Sequence, residues 1–255
     1  MNAQQVAPRA RGWLRKSHSA RVHYLFKEVC ILANESDEVI ALVSPNVGPN
    51  PFAVVLAGNF TAGLAIQQPV GLDNWKQTLT VGSLSVVWRQ AAVWQPRPDW
   101  SQLRGADTGQ WPSVAGLPAD ISHSLKLVVD GIVGDDSAIY RAGVAGLAGR
   151  GGGLTPTGDD VLIGVLHGLW VWYPRHLRRP RQEWMRMLLA TAVPRTTILS
   201  ANFLCAAAAG EATWQWHDLV KGHAHAAESI LAIGHSSVAD AWAGFLYTGS
   251  VLKSL

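Results

Sequence analysis

Cysteine is almost absent from this chain, whose 255 residues include only Cys30 and Cys205. The two cysteines are far apart and lie in apolar surroundings, which excludes a disulfide framework and a cysteine-based metal site. The sequence also lacks the ligand spacing of a zinc site and the glycine-flanked serine of a hydrolase nucleophile elbow. The scarcity of cysteine fits a reducing compartment, and we expect a cytoplasmic protein.

Charge is scarce as well, at 15% of residues with a formal net charge of +3. This excess is too small for the electrostatic footprint of a nucleic-acid-binding protein, so no nucleic-acid partner is expected. Arginines cluster in one place, residues 173–186, "YPRHLRRPRQEWMR". Two prolines interrupt this stretch, and we interpret the basic loop 174–186 as a solvated connection between helices.

Long apolar runs are missing. The most apolar window, "VLIGVLHGLWVWY" at residues 161–173, is about five residues too short to span a bilayer and contains His167. We interpret it as a buried core helix with a core histidine, and expect no membrane role. The basic N-terminus is not followed by an apolar segment with a small-residue cleavage site, so we expect no signal peptide.

Two halves of different character are present. Hydrophobic residues make up 48% of the chain, enough to bury a sizeable core. Four β-branched runs between residues 23 and 95 predict strands, namely "EVIALVS", "PFAVVLA", "GLAIQ" and "TLTVGSLSVVW". We predict an α+β protein in which a β-rich N-terminal part is packed on a mainly helical C-terminal part, with domains at residues 1–115 and 116–255.

Proline and glycine residues mark the ends of the helices in the second half. Pro174 and Pro194 should stop two of them, and Gly210 should end a third in the usual glycine position. The predicted helices are residues 157–173, 182–193, 196–210 and 237–252, with a further helical stretch at residues 218–234 in one or two pieces.

A run of glycines, hydroxyls and acids, "GRGGGLTPTGDD" at residues 149–160, leads into the first of these helices. Thr157 and Asp160 have the spacing of an acidic capping box, which predicts Thr157 as the helix N-cap. A glycine loop that enters a helix N-terminus offers backbone N–H groups to a phosphate or carboxylate. Residues 151–153 could equally form only a tight turn.

Asp159 and Asp160 add a second question, because one acid suffices for capping. They could stabilise the positive end of the helix dipole, or they could hold a hard cation such as Mg²⁺ that also contacts an anionic substrate. Both interpretations stay open at this point.

The pattern of this helix start recurs near the C-terminus. "TGDDVLIGVL" at residue 157 and "SVADAWAGFL" at residue 237 share Ser/Thr-x-x-Asp-x-x-x-Gly-x-Leu, which pairs Asp160 with Asp240 and Gly164 with Gly244. Two such helix starts packed side by side would form a concave polar site. Chance is a rival explanation, because capped helices with a glycine on an apolar face are common.

These motifs resemble a bacterial family long catalogued as a domain of unknown function, the AllH-like family of the third oxamate carbamoyltransferase subunit. "GRGGGLTPTGDDVLIG" carries the resemblance most specifically, and "TTILSANFLCAAAAGE" and "IGHSSVADAWAGFL" are similar to two further segments. Looser likeness lies in "HSARVHYLF" and "SPNVGPNPFAVVL", so the resemblance runs from about His18 to Leu246. Val238 and Gly152 depart from the residues usual in the family.

The resemblance implies a set of candidate site residues. The candidate catalytic residues are Asp159, Asp160 and His235, with Asp159 and Asp160 also the metal ligands if Mg²⁺ binds. The candidate ligand-binding residues are Gly151, Gly152, Gly153, Thr155, Thr157, Gly158, Thr196, Thr197, Ser200, Ser236, Ser237 and Asp240.

The resemblance further implies a role in carbamoyl transfer during purine or pyrimidine (allantoin) breakdown. The ligand would be a small anionic metabolite bound at convergent helix N-termini, and the chain would form a hetero-oligomer with other transferase subunits. Two alternatives remain, a non-catalytic assembly subunit and a stand-alone enzyme acting on another small carboxylic acid or amide.

Overall fold

A computed structural model of the chain describes residues 1–113, 116–223, 226–232 and 237–255. It divides into two compact units, a sheet unit of Met1–Arg97 with Ala212–Trp214 and a helical unit of Pro98–Glu211 with Gln215–Leu255. The α+β class predicted from the sequence is confirmed. The units separate at Arg97, whereas the predicted domain boundary at residue 115 stays a prediction.

Nine strands form the sheet unit within the described residues. They are β1 (Ala3–Val6), β2 (Ala20–Leu25), β3 (Val29–Asn34), β4 (Val39–Val43), β5 (Ala53–Leu56), β6 (Pro69–Asp73), β7 (Thr78–Val81), β8 (Leu84–Val87) and β9 (Ala92–Val93). Their order across the sheet is β8-β7-β6-β2-β3-β4-β5-β1-β9. Antiparallel pairing dominates, and the pairs β4–β5 and β1–β9 are parallel.

The sheet curls so that β8, at one edge, meets the residue that precedes β1, the second strand from the other edge. A parallel bridge joins Asn2, just before β1, to Val87 in β8, and the Val87 amide donates to the Met1 carbonyl at 2.9 Å. The helix α1 (Pro8–Lys16) follows β1 and buries Trp13 and Leu14 in the apolar core of this unit. The curl therefore lets one face of a long sheet enclose a core together with a single helix.

The strand predictions are right in three of the four runs. "EVIALVS" contains β4, "PFAVVLA" contains β5, and "TLTVGSLSVVW" contains the β7–β8 hairpin, which turns at Gly82 with a φ of 55°. The predicted strand "GLAIQ" is wrong, because residues 63–67 form turns and Gln67 has a φ of 67°. A positive φ at Gln67 is incompatible with an extended strand.

The helical unit contains the remaining helices of the described residues. They are α2 (Ala119–Val133), α3 (Ser137–Leu147), α4 (Thr157–Trp172), α5 (Arg181–Ala192), α6 (Ile198–Ala208), α7 (Trp214–Val220, whose first residue belongs to the sheet unit), α8 (Ala226–Ala232) and α9 (Ser237–Leu252). Four helices predicted from the sequence correspond to α4, α5, α6 and α9, with ends shifted by at most two residues, and the predicted helical stretch 218–234 corresponds in part to α7 and α8. No helix among the described residues is long and apolar enough to cross a membrane.

The helix α4 is the centre of the helical unit, because nearly all its residues are buried. His167 is buried on this helix and stacks on Trp100 with ring centroids 4.9 Å apart, and burial lowers its pKa to about 3. This environment fits the predicted core histidine. Beside α4 lies a cluster of aromatic side chains centred on Phe245 of α9, made by Trp111, Trp172, Trp216 and Trp242.

Candidate functional site

Three helices of the helical unit, α4, α6 and α9, run in the same direction and begin at the same end. The Thr196 hydroxyl, just before α6, donates to the Asp159 carboxylate near the start of α4, while Trp170 near the end of α4 donates to the Ala207 carbonyl near the end of α6 at 3.1 Å. The helices α4 and α6 are therefore parallel.

The pair α4–α9 is parallel by the same reasoning. The hydroxyls of Thr155 and Ser237 are hydrogen-bonded at 2.7 Å where the two helices begin. Further along the two helices, Gly164 faces Ala241, and then Gly168 faces Thr248. The recurring sequence pattern thus marks two helices that lie side by side with their N-termini together.

Glycines bring the two backbones into contact. A Cβ atom at Gly164 would lie 1.9 Å from the Ala241 carbonyl oxygen, and one at Gly244 would lie 2.2 Å from the Val161 carbonyl oxygen. No side chain larger than hydrogen fits at such separations. The shared glycine of the two motifs is therefore the residue that allows the helix starts to adjoin.

The glycine-rich loop before α4 is exposed at residues 151–153. Gly151 and Gly153 have φ values of 118° and 88°, a backbone conformation that favours glycine. Gly158, by contrast, is a packing residue, since a Cβ there would lie 2.0 Å from the Leu147 carbonyl oxygen.

The first turn of α4 differs from the predicted capping box. The helix N-cap is Pro156, without a side-chain hydrogen bond, and Thr157 is the first helical residue, so the prediction of Thr157 as N-cap is wrong. The Pro156 carbonyl accepts the amides of Asp159 and Asp160 at 2.9 and 3.2 Å. Proline already has a φ near that of a helix start, so this N-terminus forms without a capping side chain.

The start of α6 is capped by a threonine side chain. Thr197 is the N-cap of α6. Its hydroxyl accepts a hydrogen bond from the Ser200 amide at 3.1 Å and donates one to the Leu154 carbonyl at 2.7 Å. The hydroxyl thus ties the glycine-rich loop to α6. The acceptor of this bond is the backbone carbonyl of Leu154, which no sequence motif could have identified.

Asp159 is completely buried, and both of its carboxylate oxygens are hydrogen-bonded within the protein. Its Oδ1 accepts the Gly149 amide at 2.9 Å and its Oδ2 accepts the Thr196 hydroxyl. Burial raises its pKa, and the bonds from Thr196 and Gly149 oppose the rise. The buried Ser200 hydroxyl lies beside this carboxylate but makes no hydrogen bond of good geometry within the described residues. Both oxygens of Asp159 therefore hold the loop and α6 in place.

Asp160 has the opposite environment. It is only 4% exposed, and its Oδ2 has no hydrogen-bond partner among the described residues. Burial raises its pKa to about 8; the charges of Asp240 and Asp159 add to this rise, and the hydroxyls of Ser237 and Thr155 oppose it. Asp160 is therefore a neutral carboxylic acid at pH 7, able to donate as well as accept a hydrogen bond.

Asp240 of α9 is the counterpart of Asp160. Burial raises its pKa, against the effect of the Thr157 hydroxyl, and its Oδ2 is buried without a partner among the described residues. Two carboxyl groups, one buried and one half-buried, each with a free oxygen among the described residues, thus lie at the joint start of α4 and α9.

The structure brings together most of the residues predicted for the site. Those gathered at the three helix starts are Thr155, Thr157, Asp159, Asp160, Thr196, Thr197, Ser200, Ser237 and Asp240. His235 and Ser236 lie outside the described residues. Gly149 was missed as a site residue, although its φ of 69° and its amide bond to Asp159 make it part of the framework.

The described residues contain no group of three or more His, Cys, Asp or Glu side chains that could hold a metal ion. Asp159 has both oxygens engaged by the protein, which leaves Asp160 and Asp240 as the carboxyl groups with a free oxygen. Mg²⁺ normally keeps near-octahedral oxygen coordination, for which two carboxyl groups with pKa values raised by burial are a weak donor set. Mg²⁺ binding stays a prediction.

Substitution of Asp159 tests its holding role. Asp159→Ala should lower the free energy of unfolding by about 2–3 kcal/mol, because it leaves the Gly149 amide and the Thr196 hydroxyl without a buried partner. Asp159→Asn should cost about 1 kcal/mol or less, since the amide oxygen can serve Gly149 and the Thr196 hydroxyl can rotate to accept. Urea denaturation of both variants measures the difference; equal midpoints for Asp159→Ala and the unchanged protein would contradict this role.

Comparison with known proteins identifies the segment that contains these helix starts. Residues 147–249 match the family model described as oxamate carbamoyltransferase subunit AllH. The resemblance predicted from the sequence is confirmed over this segment, which runs from the end of α3 into α9. Searches of curated proteins and of solved structures found no match.

Proposed function

We propose, from the match of residues 147–249 to the oxamate carbamoyltransferase subunit AllH family, that this chain is a subunit of an oxamate-carbamoyltransferase-like enzyme. Its ligand site lies at the joint start of α4, α6 and α9. The observation that carries the proposal is Asp160, a buried acid whose free oxygen lies where three helix N-termini converge.

The electrostatics of this place suit a small anion. Each helix N-terminus carries a partial positive charge, and three of them here share one region. An ionised carboxylate would repel an anionic ligand, but Asp160 with a pKa of about 8 is protonated at pH 7. The proposed ligand, oxamate or a carbamoyl phosphate, brings its anionic group to the helix ends.

The carboxyl pair suits the other end of such a ligand. A carbamoyl or oxamate group has an amide oxygen that accepts a hydrogen bond and an NH₂ group that donates. A protonated Asp160 can donate to the oxygen, and a free oxygen of Asp240 can accept from the NH₂ group. Donors fixed in advance at a dry site also stabilise the charge that develops during carbamoyl transfer.

The proposal extends to the biological setting implied by the resemblance. The family description names a subunit, which supports a hetero-oligomer with other transferase subunits. The place in allantoin catabolism, the cytoplasmic location and the candidate roles of His235 and Ser236 remain parts of the proposal.

Calorimetric titration of the full chain with oxamate and with carbamoyl phosphate tests the proposed site. We expect saturable binding, which at 100 times the dissociation constant stabilises the fold by about 2.7 kcal/mol and raises the melting temperature by roughly 5–11 °C. Asp160→Ala should abolish it, because it removes the central donor. Ser250→Ala, which removes an exposed hydroxyl at the other end of α9, is the matched control and should bind as the unchanged protein does.

Two results would count against the site. Binding that survives Asp160→Ala would place the ligand elsewhere. If the unchanged chain binds neither compound and a reconstituted complex keeps its activity with Asp160→Ala, the chain is an assembly subunit whose glycines only pack helices.

A further inference from the structure

A second concave region lies in the helical unit, between α3 and α5. This α3–α5 groove has a volume of about 770 Å³ and is lined by Ser137, Arg141, Arg179, Arg186, Met187 and Arg195, with three alanines and Thr191 and Glu183 completing the wall. Its volume is within the range of sites for small molecules. None of the residues assigned above to the ligand site is among those that line it.

The groove has an excess of positive charge. Arg179 is neutralised by Asp135, Nε to Oδ1 at 2.9 Å, and by Glu183, the sole carboxylate of the lining. Arg141 and Arg186 are exposed, and neither pairs with a carboxylate in the part of the chain that the structure describes. Arg195 donates only to the Thr191 carbonyl, at 2.5 Å, among its described contacts. Three guanidinium groups are thus left uncompensated.

We propose that the α3–α5 groove binds a small metabolite that carries a phosphoryl group. Guanidinium groups bind phosphate oxygens in pairs, and three of them from α3, α5 and the turn after α5 line this groove. The small side chains of the three alanines leave room in the groove, and Met187 offers an apolar surface for the rest of the molecule. The Ser137 hydroxyl, in the first turn of α3, adds a polar group.

The groove adjoins the helix starts through the backbone. Arg195 immediately precedes Thr196, which donates to Asp159, and a Cβ at Gly149 would lie 2.3 Å from the Arg195 carbonyl oxygen. Arg195 therefore joins the groove to the backbone that holds the glycine-rich loop. The groove is a second site with its own ligand, and its existence does not depend on the proposed transferase function.

Titration of the full chain with inorganic pyrophosphate, followed by calorimetry, tests the groove. The double variant Arg141→Gln/Arg186→Gln should weaken pyrophosphate binding at least tenfold. The double variant Arg175→Gln/Arg178→Gln removes the same charge from exposed positions of the basic loop outside the groove, and it should weaken binding less than twofold. Asp160→Ala should leave pyrophosphate binding unchanged.

Each of the following results would contradict the proposed phosphoryl site in the groove. Equal weakening in both double variants would mean a general charge effect, and absence of binding to the unchanged chain would mean no phosphoryl site. Loss of binding in Asp160→Ala alone would place pyrophosphate at the helix starts. If the groove variant binds pyrophosphate normally but no longer associates with its transferase partners, the arginines bind an acidic protein surface instead.

Discussion

Asp160→Asn is expected to stabilise the folded protein increasingly as the pH rises from 5 to 8. Asp160 is 4% exposed and has its pKa raised by burial to about 8, while an unfolded aspartate titrates near 3.9. Between these values the folded state holds a proton that the unfolded state has lost. The favourable contribution is complete below about pH 4 and is lost as the pH rises through 8, by at most about 1.4 kcal/mol per pH unit.

Asparagine resembles the protonated acid in shape and cannot ionise, so it removes this dependence. We expect a gain in the free energy of unfolding on the order of 4 kcal/mol at pH 8 and almost none near pH 4. Chemical denaturation at several pH values measures it. The pKa values of Asp159 and Asp240 are also raised by burial. In the variant, the free energy of unfolding should therefore still fall with rising pH, with a smaller slope.

The control is Asp136→Asn. Asp136 is exposed and caps α3 by accepting the amides of Ala138 and Ile139, and asparagine caps about as well as aspartate. Its pH profile should follow that of the unchanged protein. A profile for Asp160→Asn that also matches the unchanged protein would mean that Asp160 is ionised in the fold, and the electrostatic argument for anion binding would be lost.

Gly164→Ala is expected to lower the free energy of unfolding by about 3 kcal/mol, and Gly244→Ala by a similar amount. The added methyl group would lie 1.9 Å from the Ala241 oxygen in the first case and 2.2 Å from the Val161 oxygen in the second. The atoms in the way are backbone, so the two helices must separate, and forced overpacking of this kind costs more than alanine gains as a helix former.

A matched substitution is available in the sheet unit. Gly12 lies within α1 with no atom in reach of an added Cβ, so Gly12→Ala should raise the free energy of unfolding by about 0.5–1 kcal/mol. The urea midpoints of the three variants compare the sites directly. If Gly164→Ala is tolerated as well as Gly12→Ala, the helix starts are not held together by backbone contact.

Helix ends were predictable from the sequence where local chemistry decides them. Prolines and Gly210 ended the predicted helices close to their observed ends, and the recurring motif marked the starts of α4 and α9 without deciding whether they adjoin. The strand order of the sheet could not be predicted from the sequence, because it depends on pairing between distant segments such as Asn2 and Val87. The helix α1 was not predicted for a related reason, because its apolar face is stabilised only by packing against the curled sheet.

The site was predictable as a set of residues but not as a set of roles. Asp159 and Asp160 are neighbours in the sequence with the same side chain, yet one is fully hydrogen-bonded and the other has a free oxygen. The difference arises from Gly149 and Thr196, which lie 10 and 37 positions from Asp159. No local pattern shows which of two adjacent acids such partners will reach.

The aromatic cluster around Phe245 gives the α4–α9 pair a built-in optical reporter. Trp172 belongs to α4 and Trp242 to α9, and both rings lie within 6 Å of the Phe245 ring centre. Trp75, which is 94% exposed in the sheet unit, already emits as a solvated indole and changes little on unfolding. A red shift of the intrinsic fluorescence therefore includes the opening of the helix pair, and an added dye is not needed to follow it.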